Sequence, residues 1–107
     1  MGRESVGELE HLILLAIVGL GAEASAIRIR ALLSDEGRTI TRGALYRSLD
    51  RLGEKALIKW AVLDPTRERG GHAKRLYTVS EAGLLVVRER RATLERLWAG
   101  AGEVLGR

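Results

Sequence analysis

The stretch Thr41-Arg-Gly-Ala-Leu-Tyr-Arg-Ser-Leu-Asp-Arg-Leu-Gly-Glu-Lys55 is the segment around which the rest of the chain has to be arranged. Its apolar residues recur at helical intervals. At about 100° per residue, Leu45, Ser48, Leu49 and Leu52 share one face. Thr41 stands where such a helix needs an N-cap, because its hydroxyl can accept a hydrogen bond from one of the first unpaired backbone amides. Arg42, Gly43, Tyr46, Arg47 and Asp50 spread over the flank and the far side. One side suits a core. The other carries cations, a phenol and a glycine that lets something come close.

The segments before it supply that core. From Glu8 a first helix is expected, with Leu9, Leu12, Ile13, Leu15, Ala16, Ile17, Val18 and Leu20 making it apolar nearly all round. A helix of that kind is buried on more than one side, which in a small chain suggests a second copy. Gly19-Leu20-Gly21 ends it. A second helix is expected from about Ser25 to Glu36, with Ala26, Ile29, Leu32 and Leu33 inward and Gly37 as its C-terminal stop. After the short piece Arg38-Thr39-Ile40, the capped basic helix follows. This is the order of a helix-turn-helix.

After Lys55 the period changes. Residues 57–63 have strand character, residues 64–72 are a loop with the chain's one proline and a Gly-Gly pair, and residues 74–79 form a returning strand. The result is a hairpin with a long basic tip, a wing. Ser80 then caps a last helix running towards Leu105. Its apolar residues Leu84, Val87, Leu94, Trp98, Ala101 and Leu105 step as a heptad, interrupted by Arg91, and call for a partner helix. The expected architecture is mainly α with a small β-hairpin. A winged helix-turn-helix spans residues 1–79 and a long C-terminal dimerisation helix residues 80–107, in one structural domain.

Charge is unevenly distributed. The 107-residue chain carries a net charge of +4. Residues 39–75 hold nine Lys/Arg against four Asp/Glu, so all of the positive excess lies in the middle third. A localised basic patch is the footprint of a polyanion partner, although a basic face can also be merely solvated. With no cysteine there are no disulfides, thiolate catalysis or Cys-based zinc sites. The longest apolar run, Leu12 to Leu20, has nine residues, where a membrane span needs about 20. Without a leader-like start, a cytoplasmic protein with no membrane partner is expected. His11 is expected as a core or interface histidine, and neither it nor His72 has neighbours spaced to complete a metal site. No paired nucleophile and base and no phosphate-binding glycine loop point to an enzyme, and no cofactor is expected.

At this point the chain resembles the PadR-like winged-helix transcriptional regulators, in their compact subgroup with a single C-terminal helix. The residues that carry the resemblance are Leu9-Glu-His-Leu-Ile-Leu-Leu-Ala-Ile17, Gly43-Ala-Leu-Tyr-Arg-Ser-Leu-Asp-Arg-Leu52, Lys55-Ala-Leu-Ile58 and Leu76-Tyr-Thr-Val-Ser-Glu-Ala-Gly83. They are similar to the family patterns G-x-L-Y-x-x-L-x-R-L, G-L-I and Y-x-L-T-x-x-G, and together cover about Leu9 to Trp98. Three places depart. Glu23-Ala-Ser-Ala-Ile27 lacks the usual His-Gly-Tyr-like turn, Ala56 stands where the family has glycine, and Arg69-Gly-Gly-His-Ala-Lys74 keeps the wing's charge with altered spacing.

The expected DNA-binding residues are Thr41, Arg42, Gly43, Tyr46, Arg47 and Arg51 on the helix and Arg67, Arg69, His72 and Lys74 in the wing. Tyr46 could instead pack half-buried, Arg51 could lie in an ion pair, and Arg75 could pair with an acid. Phosphate contacts are expected to outnumber base contacts. The expected dimer residues are Leu12, Leu84, Val87, Leu94, Trp98, Ala101 and Leu105. The resemblance implies a homodimeric repressor on a palindromic operator in double-stranded DNA. It also implies a small apolar effector stacked on a tryptophan of the last helix. Trp98 is placed for that, or for packing alone. The rival expectation is a winged-helix protein-interaction module whose basic face meets an acidic protein.

Overall fold

The computed structural model describes residues 6–63 and 74–105. Arg67, Arg69 and His72 lie outside these. Among the described residues, four helices and one hairpin follow in the order α1 Glu8–Leu20, α2 Ala26–Asp35, α3 Arg42–Glu54, β1 Ile58–Leu63, β2 Lys74–Val79 and α4 Glu81–Leu105. A short 3-10 turn, Gly21–Glu23, lies between α1 and α2 and was not foreseen.

The caps are those that the sequence offers. Ser25 accepts from the Arg28 amide at 3.3 Å and Thr41 from the Ala44 amide at 3.0 Å. At the start of α4, Ser80 Oγ accepts from the Gly83 amide at 3.1 Å while its hydroxyl donates to the Ala56 carbonyl at 2.8 Å. Helix α2 closes on Gly37, at φ +83°, with the Gly37 amide on the Ser34 carbonyl and the Arg38 amide on Leu33. Helix α3 closes by the same paired bonds, the Ala56 amide on Gly53 and the Leu57 amide on Leu52. Here, however, the left-handed residue is an alanine, at φ +61°. Both ends are Schellman motifs.

One core joins all the elements. Ile13, Leu14 and Ile17 of α1 meet Ile29 and Leu33 of α2, Leu45, Leu49 and Leu52 of α3, and Leu57, Ile58, Tyr77 and Val79 at the wing's base. Fully burying a leucine contributes about 2 kcal/mol, against less than about 1 kcal/mol for an exposed ion pair. The three leucines therefore do most to hold α3 in place. The Tyr77 amide also donates to the Ala24 carbonyl at 2.9 Å, tying β2 to the segment ahead of α2. Gly83 lets α4 cross the wing's base, since a Cβ there would strike the Leu57 carbonyl and come within 2.6 Å of Val79 Cγ1.

The expected dimer stripe divides in two. Leu12, Leu84 and Val87 are half-buried against their own core. Beyond them α4 leaves the body, and Leu94, Trp98 and Leu105 are exposed, as are Leu97 and Val104. Helix α1 is not covered all round either, for Leu15 and Val18 are exposed.

Candidate nucleic-acid interface

The cations of α3 and its C-cap Lys55 fall into two groups. Arg51 and Lys55 turn inward onto Glu10, a carboxylate buried in the first turn of α1. Arg51 Nε lies 2.9 Å from Oε2 and Lys55 Nζ 2.9 Å from Oε1, and Gly7 donates its amide to Oε1 at 3.3 Å. Burial by itself would raise the Glu10 pKa. The hydrogen bonds from Lys55, Arg51 and Gly7, with the Lys55 charge, outweigh it and hold the carboxyl below the ordinary glutamate value. Arg51 also reaches Ser48 Oγ at 3.4 Å. It is therefore set apart from the other residues expected at the interface and held in an ion pair. Arg38 is likewise paired, 3.0 Å from Glu8.

Arg42 and Arg47 form the outward group. Neither is in an ion pair among the described residues, and both are exposed, Arg42 on the flank of α3 and Arg47 on the side opposite its leucines. The Arg42 guanidinium lies 5.7 Å from the centroid of the Tyr46 ring. Such a contact contributes about 0.5–1 kcal/mol at an exposed site, little enough to yield to a phosphate. The Arg47 side chain lies back over Gly43, with a terminal nitrogen 3.2 Å from where a Cβ would stand. Glycine there leaves room for the guanidinium along the helix. Tyr46 is 37% exposed, so its ring is partly packed and partly open to a partner. Thr41, Arg42, Gly43, Tyr46 and Arg47 thus form one continuous surface over the first two turns of α3.

Arg30 has a role not anticipated from its position. From α2 its Nε donates to the Ile40 carbonyl at 2.8 Å, bracing the residue just ahead of the Thr41 cap. Nothing in the local pattern signals this, because the contact depends on how α2 and α3 cross.

In the wing, β1 and β2 pair antiparallel from Ile58 opposite Val79 to Leu63 opposite Lys74. Lys74 is exposed at the far end of the described hairpin. Among the described residues Arg75 pairs with no acid, and it lies over the Trp60 ring, 4.9 Å from its centroid. Trp60 in turn faces Tyr77, with ring centroids 6.1 Å apart. Burial pushes the Tyr77 phenol above its ordinary pKa, against the opposing hydrogen bond and charge of Arg75.

Among the described residues His11 Nδ1 is buried without a partner, and burial followed by the Arg90 charge lowers its pKa. This fits the expected core or interface histidine. Among the described residues no three His, Asp or Glu side chains gather to hold a metal ion, and no helix is long and apolar enough to cross a membrane.

Compared with known proteins, the chain matches no family model and no curated relative. Solved structures do match it. A PadR-like transcription factor from Bacteroides fragilis superposes with a TM-score of 0.73 at 23% identity, over 90% of this chain and 88% of that one. A PadR family transcriptional regulator from Eggerthella lenta gives 0.67 at 28% identity, over 92% and 86%. A PadR family transcription regulator from Clostridium difficile gives 0.71 at 19%, over 92% and 99%.

Proposed function

We propose that this chain, whose fold is that of the PadR-like winged-helix regulators, is a DNA-binding transcriptional regulator that sets α3 in the major groove. The observation that carries the proposal is the division of the cations. A helix that turns Arg51 and Lys55 inward onto Glu10 presents Arg42, Tyr46 and Arg47 outward. The description of the Eggerthella lenta neighbour as a transcriptional regulator supports the same reading. Arg42 and Arg47 reach phosphates or guanine edges with two parallel hydrogen bonds, Tyr46 donates to a phosphate, and Thr41 and Gly43 bring the start of α3 close to the backbone. Lys74, with Arg67, Arg69 and His72, follows the flanking backbone or minor groove from the wing.

The regulator acts as a homodimer through the exposed part of α4. Leu94, Trp98, Ala101 and Leu105 meet their counterparts in the second copy, and Leu12, Leu84 and Val87 close the near end. Two α3 helices related by a two-fold axis enter successive major grooves about 34–36 Å apart, so the operator is an imperfect palindrome. The protein is a cytoplasmic repressor, and an apolar effector that stacks on Trp98 and favours one arrangement of the subunits releases it.

Selection of bound genomic fragments, followed by gel shift of the recovered sites, tests the proposal. Recovered sites should share a palindromic element and lose affinity steeply with salt. Failure to bind any duplex at low salt would overturn it and favour an acidic protein as partner of the same face.

A further inference from the structure

Resting on the DNA reading above, we infer that Trp60 is a positioning residue that sets the wing against the recognition helix, and that Gly53 is its seat. The hairpin is fixed to the body at its base. Ile58, Tyr77 and Val79 are buried there, and the Tyr77 amide bonds to Ala24. Beyond Ile58 every residue of β1 is exposed. A two-stranded hairpin held only at its base can swing about that base.

Trp60 limits this swing. Its six-membered ring reaches the last turn of α3, with Cζ3 3.1 Å and Cη2 3.6 Å from where a Gly53 Cβ would stand. Among the described residues no other atom from outside the local helix lies within 4 Å of that point, so the contact belongs to the tryptophan. Tyr77 holds the indole from the paired strand at 6.1 Å between centroids, and Arg75 covers it at 4.9 Å. The ring is thus gripped by three partners from two elements although it is 44% exposed. Gly53 stands in the last turn of α3, where glycine is still a poorer helix former than alanine. The close approach of Trp60 accounts for it.

The mechanical consequence concerns two sets of DNA contacts. The α3 surface at Arg42, Tyr46 and Arg47 and Lys74 at the far end of the described hairpin must reach one duplex together. Their separation depends on the hairpin's inclination, which the Trp60–Gly53 contact fixes. Arg75, stacked on the indole, belongs to this contact and not to the DNA surface.

Two variants test the inference. Gly53→Leu fills the seat with a strong helix former and displaces the ring, and Trp60→Ala removes it. Salt-dependent binding and hydroxyl-radical footprinting on a selected operator are the readouts. Both variants should lose protection at the flanks of each half-site while the centre stays protected. The slope of log affinity against log salt should fall by about one or two contacts, with affinity down about tenfold. A merely less stable protein would bind with fewer active molecules but an unchanged slope. Gly53→Ala, which favours the helix and requires the ring to give by only a few tenths of an ångström, guards against loss of fold and should lose part of the flank protection. Wild-type slope and flank protection in the folded variants would overturn the assignment. A wild-type protein that protects no duplex would refute the DNA reading instead.

Discussion

Lys55 Nζ, at the end of α3, lies 2.9 Å from Oε1 of Glu10, a carboxylate buried in the first turn of α1. With Arg51 on the other oxygen, this is a polar link between α3 and the helix at the centre of the core. It continues to α4, because Arg90 donates to the Val6 carbonyl at 2.8 Å and to Gly7 at 3.3 Å, and Gly7 donates in turn to Glu10.

Glu10→Gln should destabilise the protein by about 1–2 kcal/mol at neutral pH. This is the range for hydrogen bonds to a charged group, reduced because Arg51 is half-exposed. The folded pKa of Glu10 is below its ordinary value, so as pH falls the unfolded chain takes up the proton first. The contribution is complete above the ordinary glutamate pKa and disappears as pH falls through the lower folded value. His11 is lowered too. Its contribution is complete above the ordinary imidazole pKa and fades at higher pH than that of Glu10. Urea unfolding at a series of pH values should show both losses in the wild type and only the imidazole loss in Glu10→Gln. An unchanged acid limb in the variant would remove the Glu10 contacts from the account.

Ala56→Gly should stabilise the protein by about 0.5–1 kcal/mol. Ala56 is the left-handed residue of the motif that closes α3, at φ +61°. An L-residue there costs about 1–2 kcal/mol, partly offset in the variant by glycine's greater freedom when unfolded. Residue 56 is exposed, so its methyl has little buried contact to lose. For a domain of this size the melting temperature should rise by a few degrees. Equal or lower stability, measured at one protein concentration, would show that the alanine methyl has a packing role.

The same residue shows what could be read ahead of the structure. Ala56 was visible as a departure from a glycine, but its positive φ was not, since one substitution does not say whether a turn is lost or strained. The caps Ser25, Thr41 and Ser80, the stop at Gly37 and the inward leucines of α3 were all legible, because each depends on neighbours within one helical turn. Arg30 on Ile40, Trp60 on Gly53 and Arg51 on Glu10 were not legible as pairs. They depend on crossing angles, which periodicity does not encode. Glu10 did offer one signal, as an acid between Leu9 and Leu12 in a helix that is otherwise mostly apolar. The heptad of α4 was legible as a stripe but not as two halves, because Leu84 and Val87 find partners within their own chain.

Arg47→Ala should weaken operator binding by about 1–3 kcal/mol while leaving the fold intact. The side chain is exposed on α3 and lies along the helix over Gly43, so truncation opens no cavity. The pattern of loss separates two roles. If Arg47 contacts a phosphate, all operator variants weaken alike and the salt slope falls by about one. If it reads guanine, discrimination relaxes at one position with less change in slope. Gel shifts on single-base operator variants at several salt concentrations distinguish these, and an unchanged shift would move the recognition surface elsewhere.

Trp98→Ala should loosen the dimer. Trp98 is 57% exposed in the single chain, with Leu94 at 48% and Leu97 at 65% around it on α4. Three large apolar side chains so placed in one short segment are an interaction surface more than a solvated one. Fully burying one contributes about 2 kcal/mol, and a two-fold interface buries each residue twice. Truncating the indole in both copies should therefore raise the dissociation constant by at least about tenfold, each 1.4 kcal/mol being a factor of ten. Sedimentation velocity over a dilution series measures this directly. Binding of a flat apolar dye, followed in parallel, separates packing from ligand contact. If dissociation rises and dye binding is lost, both roles are supported, whereas loss of the dimer at unchanged dye affinity per folded chain leaves Trp98 as a packing residue. A dimer as tight as the wild type's would mean that the subunits meet through another surface, with exposed Leu15 and Val18 on α1 the next to test.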